Sequence, residues 1–203
     1  MTITYIVKNA VYVNLTNRCP CACTFCLRAN GPGVYGSGPL WLDREPTLAE
    51  AIASVDSCDF SRYRELVFCG YGEPTERLDD LLEIARHVRK TYPRVKIRVN
   101  TNGLSDLIAG ESTAHRFGGL VDVLSISLNT PDPAEYLAVC RPRFGEAAYP
   151  ALLAFAKEAR RYVPDVVMTV VGEPVTSKEK QERCREICES LGVRLRVRPY
   201  ETP

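Results

Sequence analysis

Residues 11–26 read Val-Tyr-Val-Asn-Leu-Thr-Asn-Arg-Cys-Pro-Cys-Ala-Cys-Thr-Phe-Cys, a short strand-like run followed by four cysteines. The apolar and β-branched residues of Val11–Leu15 predict a buried strand. The four cysteines fall within the eight residues from Cys19 to Cys26, and this density indicates a metal site rather than disulfides. A strand followed at once by a chemically distinctive loop recurs further along the chain, and this recurrence determines the fold class.

Strand-like runs alternate with helix-like stretches along the chain. The predicted strands are Val11–Leu15, Glu65–Phe68, Lys96–Asn100, Val121–Leu128, Val166–Val171 and Arg194–Val197. The predicted helices are Thr47–Asp56, Glu76–Tyr92, Ser105–Phe117, Glu146–Val163 and Ser177–Leu191. Six such units predict an α/β protein, an open partial (βα)6 TIM-type barrel with parallel strands, because a complete eight-unit barrel usually needs about 250 residues. We expect residues 1–203 to form a single domain.

The composition is that of a globular protein. The chain has 203 residues, 45% of them hydrophobic and 25% charged, with a net charge of +1, which excludes disorder as the main state. No apolar run reaches the roughly 20 residues of a membrane helix. Met1–Ala10 contains Lys8 and lacks the core of a signal peptide, so we expect a cytoplasmic location, where disulfides are not the default use of nine cysteines.

Distinctive polar and glycine residues follow several predicted strands. In parallel α/β sheets the functional site lies at the carboxyl ends of the strands. The glycines suit close approach of backbone to a ligand, and the short polar side chains suit hydrogen bonds to ligand hydroxyls, although turns and caps explain the same residues. The candidates are Gly70, Gly72 and Glu73 after strand 2, Asn100 and Asn102 after strand 3, and Ser127 and Asn129 after strand 4.

The spacing of the cysteines narrows the choice of metal. Cys19, Cys23 and Cys26 form a C-x3-C-x2-C pattern. Three thiolates can hold three irons of a [4Fe–4S] cube and leave the fourth iron open to a ligand. The alternatives are a four-cysteine zinc site that also uses Cys21, which these short spacings strain, and a redox-only cluster, which normally has four ligands.

The cysteine motif, with Phe25 before its last cysteine, resembles the signature of the radical SAM superfamily. Gly70-Tyr-Gly-Glu-Pro74 resembles that superfamily's Gly-Gly-Glu-Pro motif, with Tyr71 in place of a glycine. The six-unit partial barrel is also the superfamily's fold. Five segments further resemble the TatD-associated radical SAM group: Tyr12–Cys19, Leu40–Leu42, Val67–Thr75, Ser125–Asn129 and Cys140–Gly145.

The resemblance implies a function. Cys19, Cys23 and Cys26 would ligate a [4Fe–4S] cluster, and reductive cleavage of S-adenosylmethionine (SAM) would give a 5′-deoxyadenosyl radical that abstracts hydrogen from a substrate. It implies an external one-electron donor of flavodoxin or ferredoxin type and an unidentified small-molecule or peptide or protein substrate. The cofactor-binding residues that we infer are Phe25, Gly70, Gly72, Glu73, Asn100, Asn102, Ser127, Asn129 and Arg141.

Several other residues have two interpretations. Cys21 is interpreted as a spectator within the motif. Cys69 and Cys140 either face the cavity or pack as small apolar residues, and Arg143, like Arg141, either clamps a carboxylate or lies in a solvated loop. The Gly- and Pro-rich segment 30–42 is proposed as a lid, with Trp41 either anchoring it or contacting substrate.

The sequence is compatible with several kinds of binding partner. Because the chain ends at Pro203, just past strand 6, we expect a partner, a peptide substrate or a homodimer to cover the open side of the barrel. Arg198 and Tyr200 are candidate substrate contacts. A net charge near zero argues against nucleic acid, although Arg194 and Arg196 leave tRNA contact open. The alternative function is a non-catalytic iron–sulfur or zinc protein that binds a partner or senses redox state.

Overall fold

The computed structural model describes residues 1–200, which form one seven-stranded sheet with helices. The strands lie in chain order: β1 (Thr4–Val7), β2 (Ala10–Val13), β3 (Glu65–Phe68), β4 (Lys96–Thr101), β5 (Val123–Ser127), β6 (Asp165–Val171) and β7 (Arg194–Arg198). β1 pairs antiparallel with β2, and all other neighbours are parallel. The sheet is not closed, so the predicted open α/β barrel with parallel strands is confirmed.

The six predicted strands correspond to β2–β7, whereas β1 was not predicted. Val7 pairs with Ala10, so β1 and β2 form a hairpin with a two-residue turn. Such turns are recognised in sequence by glycine after asparagine or aspartate. Here the turn is Lys8-Asn9, and Lys8 itself adopts a positive φ of 53°. The hairpin therefore carries no sequence signal of the usual kind.

The helices cover one face of the sheet. They are α1 (Leu48–Asp56), α2 (Leu78–Thr91), α3 (Ser105–Ala109), α4 (Pro133–Cys140), α5 (Ala148–Ala159) and α6 (Lys178–Leu191). Helix α4 was not predicted, although Asp132 caps it by accepting hydrogen bonds from two backbone amides and Pro133 occupies its first turn. The predicted helix over 105–117 is shorter, because Gly110 ends α3 in a left-handed conformation. None of the helices between residues 1 and 200 is long and apolar enough to cross a membrane.

Alternation along the strands separates two faces of the sheet. The outer face packs against the helices in the hydrophobic core and consists of Val11, Val13, Leu66, Phe68, Ile97, Val99, Leu124, Ile126, Val166, Met168 and Val170. The inner face carries the alternate residues, which are of mixed character. The polar ones include Tyr12, Glu65, Arg98, Asn100, Ser125, Ser127, Thr169, Arg194, Arg196 and Arg198, and the apolar ones are Val67, Val123, Val167 and Val171. One face is thus apolar and covered by helices, and the other combines valines with polar and charged residues.

Candidate metal and cofactor site

The cysteine loop follows β2 and is fixed to the end of α4. The Ala22 amide donates to the Cys140 carbonyl over 3.1 Å, and the Thr24 amide donates to the Val139 carbonyl over 2.9 Å. In the opposite direction, the Arg143 amide donates to the Pro20 carbonyl over 2.8 Å. These backbone hydrogen bonds hold the loop independently of any metal.

Burial distinguishes the four cysteines of the loop. Cys21 is 5% exposed and lies in the hydrophobic core, where it forms an isolated β-bridge with Pro142. Cys19, Cys23 and Cys26 are half-buried. The three cysteines with the C-x3-C-x2-C spacing are thus the accessible ones, and the fourth is committed to packing.

The local electrostatics favour thiolates at two of the three positions. A hydrogen bond with Cys21 lowers the pKa of Cys19, and hydrogen bonds with Cys140 and Cys21 lower the pKa of Cys23 to about 4. The same contacts raise the pKa of Cys21, and burial raises the pKa of Cys26. The thiolate is the metal-binding form, and the ligand roles of Cys19, Cys23 and Cys26, with Cys21 as a spectator, stay predictions.

The donor set fits an iron–sulfur cluster. Soft thiolates select iron–sulfur clusters, zinc or Cu(I). Charge on Cys19 and Cys23 contributes to the raised pKa of Cys26, so the three thiols lie within electrostatic reach of one another. In the part of the chain that the structure describes, no three Cys, His, Asp or Glu side chains are already gathered as metal ligands. Cluster binding would therefore turn these cysteine side chains toward a common centre.

The two glycines after β3 lie against the segment that precedes the cysteine loop. A Cβ at Gly70 would overlap the side chain of Asn14, and a Cβ at Gly72 would lie 2.6 Å from the Arg18 carbonyl oxygen. The Glu73 amide donates to the same carbonyl over 2.8 Å. Close backbone packing thus requires these glycines, and their contact with a cofactor stays a prediction.

Glu73 joins the loops that follow β3 and β4. Its side chain is buried and accepts hydrogen bonds from the Thr75 amide and hydroxyl, the Thr101 hydroxyl at 2.7 Å and the Asn102 amide at 2.7 Å. Burial raises the pKa of this carboxyl, and these four donors act in the opposite direction. Glu73 is therefore a brace between two strand ends.

The strand-end residues differ in their partners. Asn102 accepts from the Leu104 amide at 2.9 Å, and Asn129, in a left-handed conformation, donates to the Cys140 sulfur at 3.3 Å. The Oδ1 atom of Asn100 is buried and has no hydrogen-bond partner among residues 1–200. Ser127 is half-buried on the inner face. Asn100 thus has an unpaired acceptor for a ligand, as does Asn14 at the end of β2, whose Oδ1 is also buried without a partner among the described residues.

A cavity of about 620 Å³ lies beside the cysteine loop. Phe25 lines it from that loop, as do Asn30 and Tyr35 from segment 30–42, and Arg196 and Arg198 line it from β7. Further lining residues are Lys8, Thr24, Leu27, Val171, Val175, Val197, Pro199 and Tyr200. We call it the main cavity. It brings the cysteine loop, the Gly-rich segment and the last strand together.

Of the predicted cofactor-binding residues only Phe25 is among the described residues that line this cavity, and none of the three predicted cluster cysteines lines it. Arg141 ends α4 at a φ of 47° and is exposed, and Arg143 lies 3.3 Å from Glu76 and stacks on Phe144. Trp41 is 45% exposed, and its ring packs edge-on against Tyr71 at 5.3 Å. Trp41 thus anchors segment 30–42, while the cavity is lined by other residues of that segment.

One residue of the inner face was missed by the sequence reasoning. Arg98 on β4 lies 3.1 Å from Glu65 and 3.4 Å from the Tyr12 hydroxyl. Its position between Ile97 and Val99 in an alternating strand is the signal that would have placed it on the polar face.

The structure consists of parallel β/α units, with accessible thiols and a glycine loop at the carboxyl ends of the strands. This arrangement is typical of a cofactor-binding α/β barrel protein. The family model described as the radical SAM superfamily matches residues 13–197. The chain belongs to this superfamily. Its members are enzymes that use a [4Fe–4S] cluster and SAM, so the predicted enzyme class and cofactors are confirmed at the level of the family.

Curated relatives and solved structures agree with this assignment. The chain is 29% identical over 191 residues to a GTP 3′,8-cyclase of Mycobacterium ulcerans, covering 91% of this chain and 48% of that protein. It is 30% identical over 197 residues to GTP 3′,8-cyclase 2 of Mycobacterium bovis, covering 94% and 50%. The chain thus spans about half the length of the curated relatives it matches.

The fold resembles solved radical SAM structures. A radical SAM methyltransferase from Sphaerobacter thermophilus superposes with a TM-score of 0.67 at 16% identity, covering 98% of this chain and 69% of that one. Native anSMEcpe with bound AdoMet superposes with a TM-score of 0.61 at 16% identity, covering 95% and 51%. At these identities the likeness concerns the fold.

Proposed function

We propose that this chain cleaves SAM reductively and uses the product radical to abstract hydrogen from a substrate. The observation that carries the proposal is the separation of the loop cysteines into three accessible thiols and one buried thiol. When bound, a [4Fe–4S] cluster would supply the one-electron reduction that cleaves SAM to methionine and a 5′-deoxyadenosyl radical. The electron comes from an external donor of flavodoxin or ferredoxin type.

The chain's own residues hold and orient these groups. Cys19, Cys23 and Cys26 bind the cluster, and Phe25 offers an apolar ring in the main cavity to the adenine. Asn100 and Ser127, at the strand ends of the inner face, hydrogen-bond to SAM.

The other assigned residues act mainly through the loops. Glu73 keeps the strand ends in register, Gly70 and Gly72 let the glycine loop lie close to SAM, and Asn102 and Asn129 shape the turns beside it. Arg141 is assigned to a carboxylate of SAM, a role that requires its exposed side chain to turn toward the loop.

The test is made without oxygen on the full chain reconstituted with iron and sulfide. Iron and sulfide content and the electron paramagnetic resonance of the reduced protein report the cluster, and 5′-deoxyadenosine formed with dithionite and SAM reports cleavage. We expect both signals in the wild type and neither in the Cys19→Ala, Cys23→Ala, Cys26→Ala triple variant.

Cys21→Ala is the matched control because it removes a thiol from the same loop. We expect it to retain a four-iron cluster and the cleavage activity. A four-iron cluster in the triple variant, or its loss in Cys21→Ala alone, overturns the ligand assignment. If the protein holds a reducible four-iron cluster but forms no 5′-deoxyadenosine with any substrate that is added, the result supports a non-catalytic iron–sulfur protein instead.

A further inference from the structure

Three arginines lie on the inner face of the sheet, and one of them contacts a carboxylate. Arg98 on β4 contacts Glu65 at 3.1 Å, and Arg196 on β7 donates to the Ser125 hydroxyl at 3.1 Å. Arg198 follows two residues later on the same face of β7. Within residues 1–200, no second carboxylate forms a hydrogen bond with any of the three.

The positive charges of these arginines act on one another. Burial and then the charges of Arg98 and Arg198 lower the pKa of Arg196, while Glu65 opposes this effect more weakly. Several other arginines of the described chain pair with a carboxylate, as Arg89 does with Asp122. The inner face is therefore a region of uncompensated positive charge, which is costly unless an anion binds there.

The three arginines also have hydrogen-bond donors without a partner in the described chain. The Nε atoms of Arg98, Arg196 and Arg198 are all buried, and none has a hydrogen-bond partner in the described chain. Buried polar groups are normally satisfied, so each such donor requires an explanation. Guanidinium groups present planar sets of donors that match carboxylate and phosphate oxygens.

Two of the arginines share the main cavity with residues of the cysteine loop. Arg196 and Arg198 line the main cavity together with Phe25 of the cysteine loop. Arg98 lines a smaller neighbouring cavity of about 300 Å³, and Lys8 lines both cavities. An anion held by these side chains would therefore lie next to the cysteine loop.

We propose that Arg98, Arg196 and Arg198 bind a carboxylate or phosphate group of the substrate, which makes the substrate an anionic small molecule. The inference rests on the proposed function, in which the carboxylate of SAM is already held near the cysteine loop. The arginines therefore serve a second anion, and they hold the rest of that molecule inside the main cavity.

Binding of simple anions tests this assignment without any need for turnover. Inorganic pyrophosphate and citrate are titrated into the cluster-loaded protein by isothermal titration calorimetry at constant ionic strength, with and without SAM. We expect one of them to bind at one site per chain with a dissociation constant below about 1 mM. A preference for pyrophosphate identifies a phosphate group, and a preference for citrate identifies a carboxylate.

Substitutions locate the binding site. Arg196→Gln and Arg198→Gln should each weaken binding of the preferred probe by about 10-fold or more, the loss typical of a charge-assisted hydrogen bond. Arg196→Lys should weaken it less, because the charge remains while the planar fork is lost. Arg194→Gln is the matched control, since Arg194 lies on the same strand but is exposed and bonded to Asp165.

The outcomes separate this inference from the proposed function. Absence of binding by both probes, an equal loss in Arg194→Gln, or displacement of the probe by SAM overturns the anion site. Thermal unfolding of each variant identifies any that fail to fold, and in that case Arg196→Lys decides the result. If the protein binds the probe but never forms 5′-deoxyadenosine, the anion site is supported and the proposed function is contradicted. If the protein forms 5′-deoxyadenosine but does not bind the probe, only the anion site is contradicted.

Discussion

The two faces of the sheet differ in how completely their side chains are satisfied. On the outer face Ile97 is fully buried among apolar neighbours, and charges at its margin are paired, as Lys180 is with Glu135. On the inner face the next residue, Arg98, contacts the carboxylate of Glu65, and the charges of Arg98 and Arg198 both act on Arg196. We infer that the outer face stabilises the fold, and that the inner face is left polar for ligands.

The largest expected effect is on the outer face. Ile97→Ala should lower the free energy of unfolding by about 2–5 kcal/mol, because it removes buried methyl groups and leaves a cavity. Chemical denaturation with urea, followed by circular dichroism, measures the change.

The inner-face counterpart is Arg196→Met, which keeps a long side chain and removes the charge. We expect the free energy of unfolding to stay within about 1 kcal/mol of the wild type or to rise, since a charge repelled by its neighbours is lost. A loss as large as that of Ile97→Ala would mean that the inner face also stabilises the fold, and the contrast between the faces would fail.

An intermediate effect is expected where the two faces meet at the strand ends. Glu73→Gln places an amide group among four hydrogen-bond donors, so at least one donor loses its acceptor. We expect a loss of about 1–3 kcal/mol in the free energy of unfolding. Urea denaturation gives the value, and faster hydrogen exchange of the Asn102 amide locates it.

Glu111→Gln makes the same chemical change at an exposed position and serves as the control. It should leave both measurements unchanged. An unaltered Asn102 exchange rate in Glu73→Gln would show that the carboxylate does not brace the loops.

The smallest effect concerns the paired charges between helices on the outer side. Lys180 lies 2.6 Å from Glu135 and lowers its pKa, with a further contribution from Thr130. A lowered carboxyl pKa stabilises the fold above the unfolded value of about 4.3, and this stability is lost as the pH falls through the folded value. Because both side chains are about one-third exposed, Lys180→Met should cost less than about 1 kcal/mol at pH 7.

The pH dependence identifies the origin of that cost. The difference between Lys180→Met and the wild type should shrink between about pH 5 and pH 2, as Glu135 becomes protonated. Thermal unfolding across this range measures it, with Lys157→Met on the exposed side of α5 as the control. A difference that stays constant down to the lowest pH would assign the effect to packing instead of charge.

Much of the fold was accessible from local patterns. The β-branched runs predicted all six parallel strands, because apolar residues recur on the face of each strand that packs against the helices. β1 was missed because Lys8-Asn9 lacks the glycine that marks most two-residue turns. Helix α4 was not predicted, although Asp132 as the N-cap and Pro133 in the first turn are a recognisable signal for the start of a helix.

The candidate site was accessible only in part. Spacing separated Cys19, Cys23 and Cys26 from Cys21, but the burial of Cys21 depends on contact with residues near 140, far away in sequence. The role of Arg98 depends likewise on strands that are neighbours only in space. The likeness to the TatD-associated group, the single domain over 1–203 and the cytoplasmic location stay predictions.

The attachment of the cysteine loop to α4 has a consequence for biosynthesis. Cys23 and its contact at Cys140 are separated by 117 residues. During translation the cysteines leave the ribosome early, but the segment that shapes their loop emerges much later. We therefore expect the loop to take this conformation only after most of the chain has been made, and we expect insertion of iron and sulfide to follow synthesis of this distant segment.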